Sequence, residues 1–476
     1  MKKSLVALAV LAASGAYAQS SVTLFGIVEA TTDIGYNRTQ DGTVTTNVFN
    51  AAGAGLTSTT TSSSSSQKNN FRVQDGSSQG SGSSRVGFRG TEDLGGGLKA
   101  NFLLEMGLRV DDGCTTLGGV VGPFGTAAAP APGAANNVFC NNGGNSENSG
   151  GSTFGRNAWG GLSGGFGEVR LGRQVLGSFG VQGNSGSSGA SNGLYDASTA
   201  TLSPMGGVRF SNAIRYLSPN FGGFTGSLML AAPETAGNTT VTSTTAAGVV
   251  TTASASRRTG VDLALEYANG PAYIGFGYNK NDSANSVASN GPTLLPAGNT
   301  AISALPTTTT AYTLGGSYDL GVVKPFINYT RQKGNTSGST AFTSAVAGGD
   351  TFTSNTGDTT QRALSIGLRA PVGAFTVIAG YGRSTTTGNT LAPTTGAGIT
   401  TTIAGRTETK VDAFQLGAQY ALSKRTLVEA NYGYNKVRGD KSSVDTSTAA
   451  GAGRTETFTR NNDRISALNV GLKHSF

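Results

Sequence analysis

Histidine is nearly missing from this chain: His474, close to the C-terminus, is the only one in 476 residues. Hydrolases that use a histidine base need it beside a serine, cysteine or aspartate, and a metal centre needs several ligands. Neither is in sight, no phosphate-binding loop is present, and the chain is not expected to be an enzyme or to carry a cofactor or metal. Tryptophan is equally scarce, with one residue. No apolar run approaches the ~20 residues that a spanning helix requires, which excludes a helical membrane protein. Basic residues are scattered and form no run, so nucleic-acid binding is excluded as well. No linker divides the length into separate domains.

The two cysteines, Cys114 and Cys140, stand in a Gly/Pro/Asn-rich segment. The N-terminus sets the compartment they would meet. Met1 to Lys3 is basic, Leu5 to Ala13 is apolar, and Ala16-Tyr17-Ala18 has the small-x-small pattern of a cleavage site. Residues 1–18 therefore read as a secretory signal peptide, with residues 19–476 as one mature domain beginning at Gln19. In an exported protein the two cysteines most simply form one disulfide. Without Lys2 and Lys3, 32 basic residues face 26 acidic ones, a net charge of +6.

What is abundant is glycine, 73 residues, together with short stretches of strict alternation. Ser83 to Leu108 shows the pattern best. Val86 and Phe88 alternate with Arg85, Gly87 and Arg89. After the turn Glu92 to Gly97, Leu98, Ala100, Phe102 and Leu104 alternate with Lys99, Asn101, Leu103 and Glu105. Period two with one apolar face is a β-strand signature. A membrane barrel would give the apolar face to lipid and the charged face to a wet interior.

Such segments recur to the end of the chain, joined in turn by short and long connections. About sixteen strands result, with seven short turns on one side and eight long Ser/Thr/Gly-rich loops on the other. The fold class is all-β: a sixteen-stranded antiparallel transmembrane barrel with short periplasmic turns and long extracellular loops. Tyrosines near strand ends, among them Tyr267, Tyr329, Tyr381, Tyr420 and Tyr434, suit aromatic girdles at the two lipid–water interfaces.

Alternation also sorts side chains by face. Arg85, Arg89, Lys99, Arg170, Arg209, Arg215 and Arg369 fall inward, with Glu105, Glu168, Asp262, Glu266 and Glu429. An arginine facing lipid near the midplane would cost roughly 2–4 kcal/mol. On this pattern Val208 and Phe210 face outward. Apolar Trp159 takes the face opposite Arg156 and Ala158, which leaves Arg156 inward.

At this point the chain resembles the general porins of the β-proteobacterial outer membrane. The carriers are Ser21 to Val28, Ser84 to Ala100, Phe166 to Gln174, Tyr216 to Phe224, Tyr420 to Thr426 and the terminal Gly471 to Phe476. The resemblance implies passive diffusion of small hydrophilic solutes and inorganic ions, a homotrimer, and contact with the lipid bilayer and lipopolysaccharide. It implies a third loop, 175–206, folded into the lumen. By motif its constriction arginines correspond to Arg85, Arg156 and Arg209 and its wall glutamate to Glu105, with Asp196 facing them from the loop. Phe476 resembles the terminal aromatic read by the barrel assembly machinery. A positive wall facing a carboxylate makes a transverse field, and an excess of arginine there predicts weak to moderate anion preference. The other reading of the same barrel is a solute-specific channel, or an adhesin or receptor acting through its loops.

Overall fold

The computed structural model describes residues 21–49, 56–75, 84–108, 110, 115–116, 153–186, 197, 207–233, 240–244, 250–254, 259–289, 300–336, 339–343, 351–354, 357–396, 399–447 and 454–476. Residues 1–18, read above as a signal peptide, and Cys114, Cys140 and Asp196 lie outside the described residues.

Sixteen antiparallel strands close into a barrel. They are β1 (Ser21–Phe49), β2 (Arg85–Gly95), β3 (Leu98–Leu108), β4 (Asn157–Gly164), β5 (Gly167–Val175), β6 (Arg209–Leu217), β7 (Phe224–Ala231) and β8 (Thr259–Asn269). There follow β9 (Ala272–Ser289), β10 (Thr300–Tyr318), β11 (Lys324–Thr336), β12 (Gly357–Val372), β13 (Phe375–Gly396), β14 (Ile399–Ala421), β15 (Thr426–Ser447) and β16 (Arg454–Ser475). Each pairs with its sequence neighbours, and β1 pairs with both β2 and β16, so no edge remains in the barrel wall. The last link is made by the C-terminal residue. Phe476 N–H donates to Gly26 O at 3.0 Å and Gly26 N–H to Phe476 O at 3.1 Å. The Phe476 ring lies where a Cβ on residue 26 would be, so this contact needs glycine.

One end of the barrel carries tight turns. Gly95, Gly96 and Gly97 between β2 and β3 all have positive φ, a conformation open to glycine. At the other end the strands run far past their apolar stretches. Residues 37–82 read from sequence as a loop, yet β1 continues to Phe49 and Leu56–Asp75 returns along it in unbroken register from Asn69 upward. Strands β13 to β16 each have 22 or 23 residues, about twice their amphipathic portions. A ribbon wet on both faces has no hydropathy period, so alternation cannot reveal it. Its threonines still favour extended backbone, and pairs such as Thr45–Thr60, 3.3 Å apart, link it across the strands.

The outer wall between the ends is apolar and exposed: Leu171, Ile214, Leu265, Ile274, Leu314, Ile366 and Leu416 are 49–60% accessible. The inner wall is polar, with Glu29, Asp33, Asp262, Asn279, Asn328 and Asn431 at 0–1%. This inversion of the usual globular pattern is the arrangement a lipid solvent demands. The described helix, α1 (Gly177–Gly186), follows β5 and lies against the inner faces of β8 to β11.

Two face assignments are corrected. Phe210 does not face outward: it is 7% exposed, packs with Leu176, Ala213 and Met229, and covers Gly260 on the inner face. The cause is a bulge, with a register shift between Gly172 and Gln174 and a positive φ of 50° at Asn212, which breaks alternation along β6. Trp159 is not opposite Arg156. Both line the interior, because Arg156 precedes the first residue of β4 and strand parity does not extend to it.

Candidate pore constriction

The hairpin β2–β3 places Arg85, Arg89, Leu103 and Glu105 on one inner face, and β4 and β5 add Asn157, Trp159, Glu168 and Arg170. Together with Arg156, Arg209 and Phe179 of α1 they surround a cavity of about 700 Å³. Five arginines and two glutamates line it.

Glu105 organises the centre. It accepts Arg156 Nε at 2.7 Å and Asn157 Nδ2 at 2.6 Å, and Arg85 Nε lies 3.3 Å away. One carboxylate thus bridges two guanidinium groups and offsets part of their repulsion. Arg170 bonds Glu168 at 2.6 Å and lies over the Trp159 ring, 4.1 Å from its centroid. That cation–π contact explains an apolar ring on the wet face. Gly172, opposite Trp159, has a positive φ of 126°, and a Cβ there would strike the backbone of Ala158 and Trp159. Arg89 lies 5.4 Å from the Phe25 ring centroid, so two of these arginines rest against flat apolar surfaces. Arg209 enters the same space, and its buried Nε has no hydrogen-bond partner among the described residues.

Other inward charges serve elsewhere. Lys99 is exposed and pairs across from Ser163, outside the cavity lining. Arg215 donates to Val175 O at 3.0 Å and to Ser227 Oγ at 3.1 Å, tying the start of α1 to the wall. Arg369 reaches Gln419, which in turn bonds Glu429, each at 3.0 Å.

The helix is fastened by residues that sequence reading did not single out for this role. Asp262, fully buried, accepts Gly177 N–H at 2.7 Å and both the N–H and hydroxyl of Ser178. A wall carboxylate thereby takes the place of an N-cap residue. Further along, Gln182 donates to Thr330 at 3.3 Å and Asn328 to Ser185 at 2.7 Å. Glycines form the shelf beneath: a Cβ at Gly275, Gly277 or Gly315 would strike Val181, Ser178 or Ser185. Their signal was legible, since Gly275, Gly277 and Gly315 are inner-face positions of β9 and β10 where a charged or polar residue would otherwise stand. Ala197, in the same connection, donates its N–H to Gln415 of β14 at 3.3 Å, beside Gly380 of β13. The segment after β5 therefore touches the inner wall from β8 round to β14.

A closed barrel with an apolar outer wall and a charged, partly occluded interior defines a membrane channel. Residues 4–440 match the family model described as Gram-negative porin. Among curated relatives, the outer membrane porin protein 32 of Delftia acidovorans is 34% identical over 331 residues, 68% of each chain. An outer membrane porin protein of Bordetella pertussis is 29% identical over 446 residues, 92% of this chain and 94% of its own. Among solved structures, the anion-selective porin from Comamonas acidovorans is 24% identical, with 96% of this chain and 100% of that one covered and a TM-score of 0.45. The trimer form of OmpT from Vibrio cholerae is 15% identical, with 96% and 99% covered and a TM-score of 0.48. The chain belongs to the Gram-negative porin family and is an integral β-barrel of the outer membrane, a channel through which small solutes diffuse.

Proposed function

We propose that this porin passes small hydrophilic solutes and inorganic ions with a weak to moderate preference for anions, and that Arg85, Arg156, Arg209 and Glu105 set that preference at the narrowest part of the lumen. The observation that carries the reading is the charge imbalance of one cavity, five arginines against two glutamates. α1 crowds the lumen beside that cavity, through Phe179. A charge in a narrow passage is screened by few waters and counter-ions, so it outweighs charges at the wide mouths. Arginine keeps its charge at any pH the cell surface meets. Glu29 on β1 lies beside the arginine wall, its N–H bonded to Ser84 and its carboxylate paired with Lys473 at 3.5 Å. Asp196 belongs to the same proposal as the loop carboxylate facing the arginines. Export through a cleaved 1–18 segment and assembly as a homotrimer, the form named for the Vibrio OmpT structure, complete the reading.

Planar-bilayer recording tests it. In a salt gradient the wild type should reverse on the anion side. Replacing Arg85, Arg156 and Arg209 together by glutamine should move the zero-current potential toward cations and raise conductance. An unchanged reversal potential would place the selectivity elsewhere. Conductance that saturates with one solute at low concentration would favour a solute-specific channel.

A further inference from the structure

Large apolar side chains that face into this barrel, such as Phe210, Met229 and Ile378, are at most 7% exposed. The cavity at the arginine wall departs from that rule. Phe25, Leu103, Trp159 and Phe179 line it and are only half-buried, so apolar surface stands open to water. Register brings most of them together. One inner row runs Thr23, Arg89, Leu103, Trp159 and Gly172 across β1 to β5. The next inner row, one step toward the long connections, runs Phe25, Gly87, Glu105 and Asn157. Leu103 thus has Arg89 on one side and Trp159 on the other.

The charges around this apolar surface are not equally engaged. Arg170, over Trp159, bonds Glu168, and Glu105 takes Arg156 and approaches Arg85. Arg89 is exposed and rests over the Phe25 ring, and no ion pair is seen for it among the described residues. Phe25 is seated for this: a Cβ at Gly87 would strike its ring, so glycine lets the ring lie on the inner wall. Side chains directly opposite on neighbouring strands start about 5 Å apart. A ring resting on Leu103 and Trp159 therefore brings a carboxylate attached to it within reach of Arg89. A bare inorganic ion would use the arginines and none of the apolar surface. A wet wall that breaks its own polar pattern points to a solute that needs both. The cavity, about 700 Å³, has the size of a small-molecule site.

We propose that this cavity favours, among small organic anions, monocarboxylates that carry an aromatic ring, with the carboxylate on Arg89 and the ring over Leu103 and Trp159. Phe25 positions Arg89, and the charge-assisted hydrogen bonds of the guanidinium fix which end of the solute meets it. The proposal rests on the anion reading of the lumen and narrows it to a substrate class.

Reversal potentials in planar bilayers test it, with sodium benzoate and sodium acetate each set against sodium chloride at neutral pH. Acetate is smaller and diffuses faster, so sieving alone would favour it. The wild type should instead pass benzoate about threefold better than acetate, on the scale of one aromatic contact. Trp159→Gln and Leu103→Asn, made singly, should each restore the order set by size. Arg89→Gln should remove the benzoate preference as well. Acetate equal to or ahead of benzoate in the wild type, with chloride still ahead of sodium, would overturn the proposal and leave the anion reading standing. That comparison needs no variant. Sodium ahead of chloride would overturn the anion reading itself, whatever the order of the two carboxylates. A benzoate preference untouched in all three variants would place its origin elsewhere and overturn this site.

Discussion

Glu105 is the residue on which the lumen's charge balance turns. It is 6% exposed and touches Arg85, Arg156 and Asn157. A carboxylate bridging two cations contributes through both, and removing it leaves their repulsion unrelieved. For an ion passing about 8 Å away, a unit charge is worth roughly 0.5 kcal/mol in water, with opposite sign for anion and cation. Glu105→Gln should therefore raise the anion-to-cation permeability ratio by about fivefold at low salt and by less at high salt. Reversal potentials at two ionic strengths check both parts. A shift toward cations would mean that the arginines swing out of the passage once released. Alternation in sequence puts Glu105, Arg85 and Arg170 on the inner face, and all three line the cavity, because strand parity holds along β2, β3 and β5 where they stand. It misplaced Phe210 and Trp159, the first because a bulge changes parity and the second because a ring can serve a cation as well as a lipid tail.

Among the elements, α1 depends most on what surrounds it. Its sequence, Gly177 to Gly186, holds four glycines and two serines, and nothing in it favours a helix in water. Contacts from the wall hold it: Asp262 at its N-terminus, Thr330 and Asn328 along its length, and the glycine shelf of β9 and β10 below. Asp262→Asn keeps the volume but removes the charge that meets the helix start. Charged hydrogen bonds of this kind are worth about 1.5–3 kcal/mol. The expected outcome is a noisier channel with larger mean conductance at unchanged barrel stability. Gly277→Val should act by collision and displace the helix in the same way. Quiet, wild-type traces from both variants would show that α1 does not depend on this wall.

At the scale of the molecule, closure decides everything, because an open sheet edge has no place in lipid. The final pairing runs through Phe476, whose backbone exchanges two hydrogen bonds with Gly26. Deleting Phe476 should reduce the amount of assembled, heat-modifiable barrel recovered from membranes, through the lost pairing and through the lost terminal aromatic. Normal amounts would show that β1 and β16 close without it. Gly26→Leu offers a comparison, since it crowds the ring but leaves the C-terminus intact.

The chain by itself determined the strand number, the order of short and long connections and the inward set of arginines. These follow from local rules: period two, glycine at turns, and the cost of a charge in lipid. The tall Ser/Thr ribbons above the membrane escaped, because pairing without burial leaves no hydropathy period. Only the tertiary structure decided where α1 rests, that Asp262 caps it, and that Glu105 bridges Arg85 and Arg156. Each of these joins residues brought near by barrel curvature and register, which no local pattern encodes.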